Sequence, residues 1–185
     1  MPHEGPFASR VVDTRRDTGL CSALMHDRWL RVSLSTQTLD VFDGAECGKV
    51  YLVSTALNGA GERNGSGQTP RGAHEVKALI GAGSASGTVF IGRQPTGEVY
   101  SPALWAAQPG RDWILSRIVW LSGLDEGRNL GGDVDTFARF IYIHGTPDEE
   151  PMGEPRSHGC IRMRNADVIE LFTQLAIGMR VQIDE

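Results

Sequence analysis

The chain has 185 residues, 40% of them hydrophobic, and a formal net charge of −5 with no basic run. That length suits one domain of roughly 100–200 residues, and the charge balance lacks the footprint a phosphate backbone demands, which excludes nucleic acid as a partner. No apolar stretch approaches the roughly 20 residues needed to cross a bilayer, so no membrane segment is expected.

Twenty-three glycines and nine prolines favour short strands joined by turns over long helices, and the expected class is mainly β. Residues 1–27 show no periodicity and read as an N-terminal arm, with the folded domain expected over residues 28–185. Glu4, Arg10, Asp13, Arg15, Arg16 and Asp17 leave no apolar leader, and Arg15-Arg16 is followed by Asp17 rather than an apolar run. The expected compartment is therefore the cytoplasm. Cys21, Cys47 and Cys160 form no CxxC pair, which suits a reducing environment, and Cys21 and Cys47 are expected to fill small core volumes.

Leu30, Val32 and Leu34 alternate with Arg31, Ser33 and Ser35, the period-two signature of a half-buried strand. A turn at Ser35-Thr36-Gln37 leads to a partner strand over Thr38 to Phe42, closed by Asp43-Gly44, and a third strand is expected from Lys49 to Thr55. Asn58 to Gly72 reads as a loop; with no lysine between Lys49 and Lys77 it is not a Walker A phosphate cradle. Gly81 to Gly87 misses the dinucleotide-binding G-x-G-x-x-G by one residue and reads as a turn between strands at Ala73 to Ile80 and Thr88 to Ile91. Pro95, Pro102 and Pro109 break the segment from Pro95 to Gly110. Ile114 to Leu121 is a further strand, followed by a glycine-rich loop, Gly123 to Gly132, of the length that serves as a lid or binding wall.

The chemistry gathers after residue 139. Phe140 to His144 reads as a strand that places His144 at its C-terminal end, and a turn-rich connection from Gly145 to Arg156 returns Ser157-His158-Gly159-Cys160-Ile161-Arg162-Met163 toward it. Asn165 is the expected N-cap of a helix running to about Ile177, with Val168, Leu171, Phe172 and Leu175 on one face, and Met179 to Ile183 is the last strand. A cysteine becomes a nucleophile as thiolate, which needs a base or positive field to act on a pKa of about 8.5. His144, His158, Arg162 and Arg164 are the nearby candidates, and glycine before the cysteine leaves backbone N–H groups free for an oxyanion. This pattern points to acyl transfer.

The I-H-G-T run at Ile143 to Thr146, the S-H-G-C-I-R-M run, the following helix and strand, and the Thr69-Pro70-Arg71-Gly72 turn together resemble the catalytic domain of the L,D-transpeptidases, from about Arg28 to Ile183. The resemblance implies a mainly β, single-domain sandwich or barrel-like fold with one C-terminal helix and a few short ones. It implies Cys160 as nucleophile and His144 as base, with the Gly145 carbonyl holding the other ring nitrogen and the N–H groups of Gly159 and Cys160 forming the oxyanion hole. His158 then shapes the pocket, Ser157 supports the loop, and Arg162 is the natural partner of a substrate carboxylate. The implied substrate is a peptidoglycan tetrapeptide stem or muropeptide, cut between its diamino acid and D-alanine through a thioester, with no metal and no cofactor. Without an export signal the expected outcome is hydrolysis in murein recycling, an L,D-carboxypeptidase; the alternatives are 3-3 crosslinking or D-amino-acid exchange in the periplasm, or an inactive wall-binding module. A zinc site lacks a fourth ligand at recognisable spacing, a papain-like protease would place its cysteine before its histidine, and an inactive module would be expected to lose Cys160 or His144. His3, His26 and His74 are expected to be solvated or core histidines, and Asp133 and Asp135 to be solvated.

Overall fold

A computed structural model describes residues 28–108 and 110–185. The expected arm, together with His3, Cys21 and His26, lies outside the described residues. Ten strands form one sheet: β1 (Arg28–Ser33), β2 (Thr38–Asp43), β3 (Glu46–Leu52), β4 (Gly72–Ile80), β5 (Thr88–Ile91), β6 (Gln94–Val99), β7 (Ile114–Gly123), β8 (Tyr142–Gly145), β9 (Ile161–Met163) and β10 (Arg180–Asp184). Two helices, α1 (Pro102–Ala107) and α2 (Asn165–Phe172), and one 3-10 turn, Gly132–Val134, complete the described elements.

The alternation read at the start of the chain makes the β1–β2 antiparallel hairpin, burying Leu30 and Val32 on one face. The sheet order is β3-β2-β1-β10-β4-β7-β5-β6, with β8 on β7 and β9 on β8. β10 enters between β1, to which it is parallel, and β4, to which it is antiparallel. Beyond β3 the chain bridges Ser54 to Arg162 of β9, so the path of strands returns on itself, as a barrel-like fold requires. The enclosed core runs from Leu30 and Val32 through Val119 and Leu121 to Ile143, Ile161 and Met163, and α2 seats Val168 and Leu171 in it.

Four expectations are corrected. β3 begins at Glu46, not Lys49, because the Asp43-Gly44 turn is tight enough for pairing to restart at once. The proline-broken segment holds a strand and a helix: Pro95 lies on the outermost strand, where a missing N–H costs no ladder bond, and Pro102 stands at the first position of α1 behind a Ser101 cap. α2 ends at Phe172, and Asn165 is its first residue rather than its cap, since its buried amide donates to the Thr146 carbonyl and accepts from Ser116. The Gly123 to Gly132 loop turns to the start of β4, where Asp125 and Asn129 hold the backbone of Arg71 and Ala73, and it lines no part of the cysteine cavity.

His74 is a fully buried core histidine bonded to the Gly72 carbonyl and to Thr136, and burial pulls its pKa down to about 4. The unfolded chain, with an ordinary pKa of about 6.5, therefore binds the extra proton between these values, and stability falls as pH drops through that window, by at most roughly 3 kcal/mol. Urea titrations at pH 7, 5.5 and 4.5 are expected to show the gap between the native protein and His74→Gln narrowing with acidity; a constant gap would refute this. No helix among the described residues is long and apolar enough to cross a membrane.

Candidate active site

β8 and β9 are parallel neighbours, with His144 opposite Arg162, and this pairing brings together two motifs separated by a long turn-rich connection. His144 is buried at 1% exposure. Its Nδ1 lies 2.8 Å from the Gly145 carbonyl oxygen, and because a carbonyl can only accept, Nδ1 carries the proton and Nε2 is left with its lone pair. Burial pulls the His144 pKa down, Arg162 acting in the same direction while Asp112 and the Gly145 carbonyl oppose it. The ring is thus kept neutral, the form a general base requires.

Gly145 has no room for a side chain, since a Cβ would sit 2.5 Å from Asn165 Oδ1 and 2.7 Å from the Leu115 carbonyl oxygen. Asn165 therefore does more than start α2. Through its bonds to Ser116 and Thr146 it fixes the backbone that carries the histidine's anchor.

Cys160 is half-buried and lines a cavity of about 170 Å³ with Asp112, Arg139, Phe140, Ile141, His144, Ser157, His158 and Arg162. Its thiol donates to the Phe140 carbonyl at 3.4 Å and accepts from the Tyr142 N–H at 3.4 Å. Burial is the main reason its pKa is pushed up to about 12, so at neutral pH the sulfur rests as a thiol. Phe140, expected in a strand, instead turns the chain at φ 58°, with Arg93 stacked on its ring and on Trp120. This turn aims the Phe140 carbonyl at the sulfur.

The cysteine loop is pinned from two sides. Thr69, fully buried in the T-P-R-G turn, donates to the Gly159 carbonyl at 2.9 Å and accepts the Ala56 N–H. Ser157 donates to the Cys160 carbonyl and accepts the Gly159 N–H at 3.2 Å. The expectation of two free oxyanion donors is corrected accordingly: the Gly159 N–H is engaged by the hydroxyl of Ser157, two residues earlier, whereas the Cys160 N–H makes no hydrogen bond among the described residues. His158 is exposed at the cavity mouth.

Arg162 is 7% exposed; one terminal nitrogen donates to Asp112 at 3.1 Å, the other lies 3.6 Å from the Glu150 carboxylate, and Nε makes no hydrogen bond among the described residues. Arg164 bonds backbone carbonyls of Asp148 and Glu150 and lies off the cavity. Asp112, Glu150 and Arg139 had no mark in the sequence, because each reaches the site from a distant segment without a motif. A second cavity of about 440 Å³ shares Asp112, His158 and Arg162 with the first and is walled by Leu57, Trp105 and Arg111. The wall expected from the later glycine loop is supplied by α1 and the segment after it, held by Tyr100, Leu104 and Trp105 on Val89, Trp113 and Leu115.

Known proteins are similar to this chain in sequence and in fold. The model of the YkuD family, described as the L,D-transpeptidase catalytic domain, matches residues 27–183. A stretch of 127 residues is 32% identical to a probable L,D-transpeptidase of Salmonella typhimurium, ErfK/SrfK, covering 62% of this chain and 39% of that protein. Another of 48 residues is 48% identical to a probable L,D-transpeptidase of Escherichia coli, YbiS, covering 25% and 16%. The matched parts thus span well under half the length of these relatives. Among solved structures, L,D-transpeptidase 3 from Mycobacterium tuberculosis superposes with a TM-score of 0.53 at 18% identity, over 86% of this chain and 61% of that one. An L,D-transpeptidase from Mycobacterium smegmatis gives 0.52 at 15%, over 86% and 59%. Such identities speak for the fold alone. The family model takes in the paired strands, the histidine and the cysteine loop, and the chain belongs to the YkuD family of L,D-transpeptidase catalytic domains.

Proposed function

We propose that the protein is a cysteine acyl-transfer enzyme that acts on the L,D bond between the diamino acid and D-alanine of peptidoglycan tetrapeptide stems. The observation that carries this reading is the Nδ1-anchored His144 sharing one 170 Å³ cavity with Cys160. A neutral imidazole beside a neutral thiol sets the order of events. As Sγ turns from the Phe140 carbonyl and bonds to the scissile carbonyl carbon, its proton passes to His144 Nε2. The carbonyl electrons move onto oxygen, where the Cys160 N–H is the donor at hand. Collapse of that intermediate breaks the C–N bond, the proton on His144 goes to the departing amine, and D-alanine leaves a thioester on Cys160. Ser157 and Thr69 keep the loop in shape meanwhile, and His158 borders the entrance.

Water attacking the thioester yields a tripeptide, the carboxypeptidase outcome that belongs with murein recycling. The second reading is attack by an amine of another stem, giving a 3-3 crosslink, or by a free D-amino acid. The 440 Å³ cavity favours it, being next to the cysteine cavity, with which it shares Asp112, His158 and Arg162 as walls, and large enough for a second peptide segment.

Incubation with a tetrapeptide or its disaccharide form, followed by mass spectrometry, tests both. Tripeptide plus free D-alanine is the expected result. Dimers or terminal exchange would replace hydrolysis by transpeptidation, and no turnover with no acyl-enzyme would overturn the proposal.

A further inference from the structure

The scissile bond of the proposed substrate constrains where its carboxylate must lie. The leaving amino acid carries its α-carboxylate one carbon from the departing nitrogen, within ~5 Å of the carbon under attack. A cation that reads it must line the cysteine cavity itself. The charged or titratable groups there are Asp112, Arg139, His144, His158 and Arg162. The charge of Arg162 is already met by two carboxylates, its terminal nitrogens lying 3.1 Å from Asp112 and 3.6 Å from Glu150, while its buried Nε makes no hydrogen bond among the described residues.

Arg139 differs. One of its terminal nitrogens donates to the carbonyls of Gly61 and Glu62 and the other to Ser66 Oγ and the Gln68 carbonyl, all neutral acceptors. Among the described residues no carboxylate lies within 4.0 Å of it. The nearby Glu62 carboxylate is taken by Arg71, at 2.9 Å through Nε and 3.3 Å through a terminal nitrogen. The Arg139 side chain is half-buried, where a charge is less screened than at the surface, and a guanidinium keeps its proton throughout the working pH range. Four bonds to the loop that precedes Thr69 also hold it still.

We infer that Arg139, whose charge meets no carboxylate among the described residues, is the anion-attracting residue of the cysteine cavity and favours the carboxylate of the leaving amino acid through that charge, its terminal N–H groups being already engaged, whereas Arg162 secures the Asp112 and Glu150 wall. This moves the carboxylate-reading role from the residue beside the cysteine in sequence to one twenty-one positions before it. It rests on Cys160 being the nucleophile. The same field favours the sulfur as it gives up its proton.

The test compares two alkylating reagents of equal reach, iodoacetate, which carries a carboxylate, and neutral iodoacetamide, with modification of the Cys160 peptide followed by mass spectrometry at one pH and low salt. The iodoacetate-to-iodoacetamide rate ratio at Cys160 is expected to be higher in the folded protein than in the same protein unfolded in urea. It is expected to fall roughly five- to tenfold in Arg139→Gln, to persist in Arg139→Lys, and to change less in Arg162→Gln. A folded ratio no higher than the unfolded one overturns the inference without needing any variant to fold. So does an unchanged ratio in folded Arg139→Gln, or a larger loss in Arg162→Gln. Thioester formation with the tetrapeptide is measured separately; its failure would sink the proposed function while leaving the alkylation ratio to judge Arg139.

Discussion

Cys160→Ala is expected to abolish the acyl-enzyme and to lower turnover of the tetrapeptide by at least about 10⁴-fold, with the fold retained. The magnitude follows from what the sulfur does: without it no covalent intermediate exists, and the remaining donors and binding contacts act on an attack that does not occur. The fold survives because the half-buried thiol makes two long hydrogen bonds, to the Phe140 carbonyl and from the Tyr142 N–H, and their loss costs about 1 kcal/mol. Intact-protein mass after mixing with substrate reads the first outcome and thermal unfolding the second. A covalent adduct retained in the variant would move the nucleophile elsewhere.

Gly145→Ala is expected to cost about 3 kcal/mol and to reduce kcat/KM by at least about 100-fold. The added methyl would stand 2.5 Å from Asn165 Oδ1 and 2.7 Å from the Leu115 carbonyl oxygen. Neither neighbour can yield cheaply, because the Leu115 carbonyl belongs to the backbone of β7 and the Asn165 amide is held by Ser116 and Thr146. The backbone of residue 145 must move instead, and with it the carbonyl that holds His144 Nδ1. Urea unfolding and steady-state kinetics measure the two effects independently. A variant with native stability and full activity would show that this carbonyl does not set the histidine's orientation.

Local patterns in the sequence were the legible part. The β1–β2 hairpin follows from alternation over a few residues, and His144 and Cys160 stand out because both lie in short motifs whose spacing a strand, a turn and a second strand can close. α1 was hidden because Pro102 breaks a helix only from inside it, and its position relative to Ser101 decides which applies. Asn165 has the chemistry of a cap, and only the tertiary position of Ser116 and Thr146 shows that its amide is spent elsewhere. Arg139 and Asp112 could not be singled out at all: what distinguishes them is which acceptors surround the Arg139 guanidinium and which donor meets the Asp112 carboxylate, and those come from segments far away along the chain.

The place of β10 in the sheet bears on how the protein is made. β3, β2 and β1 can pair with one another as soon as they are synthesised, and so can β4 with β7, but the two groups meet only through later residues: β10, which bonds β1 on one side and β4 on the other, and β9, which bridges to Ser54 beyond β3. Until residues 180–184 leave the ribosome, β1 and β4 each expose an unpaired edge. Closing the longest-range pairing last predicts slow folding and a period of exposure in which chaperones would find their substrate.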